Sequence, residues 1–182
     1  AAIAALASLA ACSRDEMADY EAETTATRKR LESDPDMLAM LRYASLAANS
    51  HNSQPWRFAV DDYNVSIFAD QSRTLPVVDP DDHHLFISLG CAVENLLIAG
   101  AAHGRPGNML YFPGDNDRIE VGLSKGAANA GALYNAIPVR QTTRSVYDGR
   151  AIPNEQLKQL ENAAKQDGVS VTLITDQQQR LA

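Results

Sequence analysis

Apolar residues recur at helical spacing in one long segment, and this is the strongest pattern in the chain. The repeat follows an acidic cluster at 79–82, which suits the positive end of a helix dipole, and it stops at His103-Gly104, where a glycine can close a helix. A second repeat predicts a helix over 34–48, with Asp34 as the N-cap and Pro35 in the first turn. The long repeat consists of Leu85, Leu89, Ala92, Val93, Leu96 and Leu97.

Shorter segments alternate apolar with polar residues, as half-buried strands do. Residues 56–60 and 65–69 predict one β-hairpin, and residues 109–112 and 119–123 predict a second strand pair. Because helices and strands mix along the chain, we expect an α+β fold built on a mostly antiparallel sheet flanked by helices.

The C-terminal part predicts one further helix and one further strand. The helix opens at Pro153-Asn154-Glu155 and ends before Gly168, and a strand is expected over 169–175. The apolar positions expected to face inward on this helix are Leu157, Leu160 and Ala164.

The composition is that of a globular protein: among 182 residues, 45% are hydrophobic and 21% charged, which excludes a wholly disordered or fibrous chain. Sixteen basic side chains against 23 acidic ones give a net charge of -7. We expect no nucleic-acid partner, because no global positive field is available for a phosphate backbone. The two cysteines form neither a CxxC motif nor a disulfide framework.

The N-terminal residues 1–11 are small and apolar, as in the h-region of a secretory signal. Leu9-Ala10-Ala11-Cys12 resembles a bacterial lipoprotein cleavage box, in which the cysteine carries the lipid. We therefore expect an exported bacterial protein, periplasmic or membrane-anchored through lipidated Cys12; an Ala-rich terminal helix or an ordinary signal cut nearby are the alternatives. Residues 12–33 are expected to form a polar stalk that becomes helical near 28–31.

Two polar segments can carry chemistry. The first follows the helix predicted over 34–48, and in it the hydroxyl of Ser50 and the amides of Asn52 and Gln54 can form hydrogen bonds with the edge of a flat heteroaromatic ring. The alternative is a plain surface loop that leads to a Trp in the core. In the second, Arg140 and Arg144 flank hydroxyl residues and can chelate a phosphate, unless they form only a solvated surface.

Other candidate sites are weaker. We expect no metal site, because His83 and His84 are adjacent on a helix and so point to different faces. Cys91 is expected to be a buried, inert thiol, and Ser50-His51 lacks the nucleophile elbow of a hydrolase. For two further residues, Arg73 and Asp79, we expect a surface salt link more than a ligand contact.

Three segments together resemble signatures of the FMN-dependent nitroreductases: LAANSHNSQPWRF (46–58), ISLGCAVENLLIA (87–99) and VRQTTRSVYDGRAIPNEQLKQLENAA (139–164). They are similar to the loop that meets the flavin ring, the long central helix, and the phosphate segment with its following helix. The chain departs from the family before the loop, where Ala48 and Asn49 replace the usual Pro and Ser.

In common nitroreductases the arginine segment precedes the flavin loop, whereas here the order is inverted, as in the Acg-like branch with two fused halves. The resemblance implies a monomeric pseudo-dimer, with a first half over 34–136 and the start of a second over 137–182. It also implies FMN as the cofactor. Its phosphate would be held by Arg140, Thr142 and Arg144, with Gln141 in the same segment, and its ring would be approached by Ser50, Asn52 and Gln54.

The function implied by the resemblance is hydride transfer through flavin between a small-molecule electron donor and a nitroaromatic or quinone-like acceptor. No catalytic side chain can be named. The main alternative is a non-catalytic exported protein that binds or sequesters flavin, and the third hypothesis is a purely structural lipoprotein.

Overall fold

A computed structural model describes residues 16–165, 167–176 and 178–179. The predicted signal segment 1–11 and the lipidated Cys12 lie outside the described residues. The chain forms two compact units, of which the first ends at Thr142 and the second begins at Thr143. The α+β class is confirmed, because helices and an antiparallel sheet build the first unit together.

Four antiparallel strands form the sheet of the first unit, in the order β1-β2-β4-β3. Both predicted strand pairs are confirmed. In the first hairpin the register pairs Trp56 with Ala69, and in the second it pairs Gly107 with Leu123. The strands are β1 (Trp56–Asp61), β2 (Asn64–Ala69), β3 (Gly107–Phe112) and β4 (Arg118–Leu123).

Helices precede, separate and follow the two hairpins. Residues 16–27 are helical and the chain turns after them, so the helix predicted near 28–31 is wrong in position. The helices are α1 (residues 16–27), α2 (Met37–Ser45), α3 (His83–Ala102), α4 (Ala132–Ala136) and, in the second unit, α5 (Asn154–Ala163).

α2 is shorter than the predicted helix over 34–48. Its N-cap is Asp36 and not Asp34, because the Asp36 Oδ1 accepts a hydrogen bond from the backbone N–H of Ala39 at 2.7 Å. Asp36 satisfies one of the free N–H groups of the first turn, which is what an N-cap does. The helix therefore begins one residue after this carboxylate, at Met37.

The core of the first unit lies between one face of the sheet and helices α2 and α3. Alternate residues of β2 and β4 point at α3, and the predicted long helical repeat supplies the opposing side chains, of which only Leu97 is not fully buried. Burial of each such side chain stabilises the fold by roughly 1.5–3 kcal/mol. The central members of this core are Met40, Ala44, Val65, Ile67, Leu85, Leu89, Ala92, Leu96, Ile119 and Val121.

The start of α3 is held by Asp79, four residues ahead of the helix. Its side chain is only 4% exposed, and its two oxygens accept the backbone N–H groups of His84 and Leu85, each at 2.9 Å. The surface position predicted for Asp79 is therefore wrong, because the carboxylate is buried as a helix cap, where one of its oxygens lies 3.6 Å from the Nδ1 of His84. Burial opposes its ionisation, but these two bonds and the nearby histidines outweigh burial and lower its pKa below the ordinary 3.8.

The lowered pKa of Asp79 makes its contribution to stability pH-dependent. Because the folded pKa lies below the unfolded one, the stabilisation is present above the ordinary pKa and is lost as pH falls through the folded pKa. We expect Asp79→Asn to lower the melting temperature at about pH 7 and to have a much smaller effect at about pH 3. Thermal melts of both proteins at the two pH values measure this, and equal effects at both would contradict it.

The outer face of α3 exposes apolar residues beside His83 and Glu94, and among the described residues nothing covers it. Phe86 is 37% and Ile87 50% exposed, and a Cβ added at Gly90 would meet nothing within 4 Å. By length and apolar composition α3 would suffice to cross a membrane, but half of its most apolar stretch is buried as in a core helix.

The second unit holds α5 and an extended segment. None of the apolar positions predicted to face inward on α5 is buried, and Leu160 is 51% exposed. The strand predicted over 169–175 is also wrong: of the described residues there, only Val169 takes part in a β-bridge. A strand needs a neighbour to accept its backbone hydrogen bonds, and the described part of this short unit supplies no ladder.

Candidate functional site

The polar loop between α2 and β1 has an unusual backbone. It contains a short 3₁₀ turn, Ser50–Asn52. Three of its non-glycine residues have a positive φ angle: His51 at 51°, Asn52 at 56° and Gln54 at 49°. This left-handed conformation costs an ordinary residue roughly 1–2 kcal/mol. Such strain persists only where the surroundings enforce it, and it is concentrated at functional sites.

Hydrogen bonds within the loop enforce this shape. The Asn49 Oδ1 accepts the backbone N–H of Gln54 at 3.0 Å, and its Nδ2 donates to the Ala47 carbonyl at 3.1 Å. Across the turn, the Ser53 N–H donates to the Ser50 carbonyl at 2.9 Å. Asn49 thus holds the loop in its conformation, whereas from the sequence it was only a departure from the pattern of the family. The available signal was the tendency of Asn to bond nearby backbone groups.

Two neighbouring elements hold the loop from outside. The buried Ser88 of α3 accepts the Ser50 N–H at 3.3 Å and donates to the His84 carbonyl at 2.6 Å. Arg73 donates to the Ser53 carbonyl at 2.9 Å and pairs with Asp70 at 3.4 Å. The salt link predicted for Arg73 is confirmed, and its second bond also fastens the loop.

The arginine segment reaches the same loop through Arg140. The Arg140 Nη2 donates to the Leu46 carbonyl at 2.8 Å, and its Nη1 donates to the Thr142 Oγ1 at 3.3 Å. These bonds occupy two of the five N–H donors of the guanidinium. The side chain is half-buried, so three donors remain for an anion at the edge of the loop.

The structure thus brings Arg140 and Thr142 close to the start of the loop that carries Ser50, Asn52 and Gln54. Asn52 and Gln54 are exposed and their side chains are joined by a bond of 3.4 Å, while Gln141 and Thr142 are exposed beside Arg140. Arg144 is exposed and belongs to the second unit.

Other candidate chemistry does not converge on this loop. In the described part of the chain no three His, Cys, Asp or Glu side chains are placed to hold a metal ion. Cys91 is half-buried against the core, so the prediction of a buried thiol is wrong in degree.

A separate pocket of about 390 Å³ lies at the C-terminal end of α3, lined by Tyr63, His103, Gly104, Arg105 and other residues. The loop contacts α3 near its N-terminal end, at Ser88. A helix of 20 residues is about 30 Å long. The pocket is therefore distant from the loop, and it contains none of the predicted site residues.

Comparison with known proteins identifies relatives in Mycobacterium tuberculosis. One, named "Putative NAD(P)H nitroreductase", is 29% identical over 142 residues, which is 75% of this chain and 41% of that protein. A second, named "Putative NAD(P)H nitroreductase acg", is 32% identical over 81 residues, or 44% of this chain and 24% of that protein. No protein-family model matches the chain.

The chain spans less than half the length of these relatives. The match of 142 residues nevertheless covers three quarters of the chain, and the fold is compatible with that of a nitroreductase. The resemblance predicted from the three motifs is confirmed to this extent: the chain is similar in sequence to proteins named putative NAD(P)H nitroreductases.

Proposed function

We propose that the full-length protein is an FMN-dependent oxidoreductase of the nitroreductase type. The observation that carries the proposal is the hydrogen bond from Arg140 to the Leu46 carbonyl, because it joins the two segments that resemble flavin-binding motifs. The names of the relatives support the oxidoreductase class. The proposal also specifies FMN as the cofactor and a nitroaromatic or quinone-like molecule as the electron acceptor.

The residues present fit an FMN molecule in their chemistry. Among the described residues, Arg140 makes side-chain bonds with two of its five donors, which leaves three for a phosphate, and Gln141 and Thr142 add polar groups beside it. Asn52 and Gln54 offer exposed amides to a heteroaromatic edge, and the bonds of Asn49 hold them in place. Bound FMN would supply the redox chemistry, taking a hydride from a donor and passing it to the acceptor.

The outer face of α3 supports the two-half architecture. The relatives are more than twice as long as the part of them that this chain matches. In the proposal, the additional length contains a second half that covers Phe86, Ile87 and Gly90. Burial of these apolar side chains would stabilise a monomeric pseudo-dimer without a partner chain.

One experiment tests the flavin and the reaction together. Full-length protein is purified, its visible spectrum is recorded with and without added FMN, and NAD(P)H is then added anaerobically. We expect a bound flavin that the donor bleaches and a nitroaromatic or quinone re-oxidises. Failure to take up FMN would overturn the proposal, whereas bound flavin that no donor reduces would favour the sequestering protein.

The proposed location outside the cytoplasm favours the outcome in which the bound flavin is not reduced by NAD(P)H. If Cys12 is lipidated, the protein lies outside the cytoplasm, where nicotinamide nucleotides are scarce and another donor is required. We expect the full-length protein expressed in bacteria to incorporate labelled palmitate, and Cys12→Ala to abolish the label. Equal labelling of both proteins would contradict lipidation at this residue.

A further inference from the structure

Arg28 lies at the end of α1 and contacts the arginine segment 112 residues later. Its Nη1 donates to the carbonyl oxygens of Pro138 at 3.1 Å and of Arg140 at 2.9 Å. The side chain is half-buried, so water competes only in part for these bonds. The Arg28 side chain therefore fixes the backbone of Arg140, the residue whose own side chain bonds to the start of the loop.

Arg28 is itself held in place by α2. The Arg42 Nη1 donates to the carbonyls of Thr27 and Lys29, each at 2.6 Å, where α1 ends and the chain turns. The unpaired carbonyls at a helix end are strong acceptors for a cation. We call residues 26–30 the strap; it is fastened to α2 by Arg42 and to the arginine segment by Arg28.

The backbone of Arg140 is fixed from two sides. Its N–H donates to the Ala136 carbonyl at 2.8 Å, and its own carbonyl accepts from Arg28. Because both backbone groups of Arg140 are hydrogen-bonded, its Cα has a fixed position, from which the side chain extends to the Leu46 carbonyl. Without Arg28 the last turn before Arg140 keeps its internal bond, the burial of Ile137 and the side-chain bond to Leu46, but it loses the hydrogen bonds that tie its backbone to the end of α1.

We propose that Arg28 is a positioning residue that aims the guanidinium of Arg140 at the phosphate group of the flavin nucleotide. This inference rests on the proposed function for the identity of the ligand. The positioning itself rests on the hydrogen bonds of Arg28, Arg42 and Arg140 within the first unit. The strap thereby couples the N-terminal segment to the phosphate end of the site, although it contributes no atom to the ligand.

Three variants of the full-length protein separate this role from general folding. Arg28→Met removes both hydrogen bonds but keeps the bulk of the stem. Arg28→Lys keeps them, because a single nitrogen makes both bonds and an ammonium group has three donors. Arg30→Met is the control: it changes the same charge in the same strap, but its exposed side chain contacts only the Asn135 amide, at 3.3 Å.

The first readout compares the affinities for FMN and for riboflavin, which lacks the phosphate. We expect Arg28→Met to weaken FMN binding about tenfold and to leave riboflavin binding nearly unchanged. Arg28→Lys and Arg30→Met are expected to behave like the wild type. Equal loss of both affinities in Arg28→Met would show a merely structural role, and unchanged FMN affinity would overturn the inference.

The second readout needs no flavin. Amide hydrogen exchange over residues 136–142 is expected to rise in Arg28→Met and to stay at the wild-type rate in Arg28→Lys and Arg30→Met. Unchanged exchange in Arg28→Met would overturn the positioning role, whatever the ligand. Wild-type protein that binds neither FMN nor riboflavin would overturn the proposed function, and the exchange result would still decide whether Arg28 orders the segment.

Discussion

Arg140→Met in the full-length protein is expected to weaken FMN binding by about a hundredfold. The estimate assumes the loss of two charge-assisted hydrogen bonds to the phosphate, each contributing about 1.5 kcal/mol. Riboflavin affinity should fall far less, because the ring contacts of the loop remain. Fluorescence titrations with both flavins measure the two affinities, and their ratio reports the phosphate contact directly.

Arg30→Met is the matched control for this substitution, since it removes one exposed positive charge from the same unit. It should leave both affinities unchanged. Unaltered FMN affinity in Arg140→Met would show that the phosphate assignment is wrong. Combining Arg140→Ala with Arg144→Ala extends the experiment to the second unit, and a further loss beyond the single variant would assign Arg144 to the same phosphate.

Leu89→Ala is expected to destabilise the first unit by about 3 kcal/mol. Leu89 has no exposed surface and lies in the second turn of α3, where it packs into the core against the sheet. Truncation removes its burial energy and leaves a cavity that close-packed neighbours fill only in part. Denaturant unfolding followed by circular dichroism measures the change, and a loss below about 1 kcal/mol would contradict this position in the core.

Ile87 supplies the control from the same helix. It is 50% exposed in this chain, so Ile87→Ala should change the stability of the 182-residue chain by less than about 0.5 kcal/mol. The full-length protein is expected to respond differently. If a second half covers the outer face of α3, Ile87→Asp destabilises the longer protein and leaves the shorter one nearly unchanged. Equal behaviour of the two lengths would argue against the two-half architecture.

The elements that the sequence predicted well are those with a complete local pattern. The repeat from Leu85 to Leu97 and the two alternating hairpins form as predicted, and the alternation matches the burial of β2 and β4, whereas β3 has no buried residue. The elements that failed depend on partners. Residues 169–175 have the composition of a strand, but without a neighbouring strand their backbone groups form no ladder.

The motifs indicated which side chains make up the candidate site, but they did not indicate which contacts hold those side chains in place. The motifs pointed to Ser50, Asn52, Gln54 and the arginine segment, because those side chains carry the required donors and acceptors. They did not reveal that Asn49 sets the loop conformation, since that role depends on a single side-chain bond to the Gln54 N–H.

Sequence alone determined the long helix α3, the two hairpins, the α+β class and the resemblance to nitroreductases, because periodicity and motif spacing are local properties. Tertiary structure decided which acid caps α3: Asp82 is nearest in sequence, but its side chain makes no cap bond and Asp79 makes two. It also decided that Arg28 meets Arg140 across 112 positions. Such contacts follow from how helices and sheet pack together, and no local pattern in the chain encodes them.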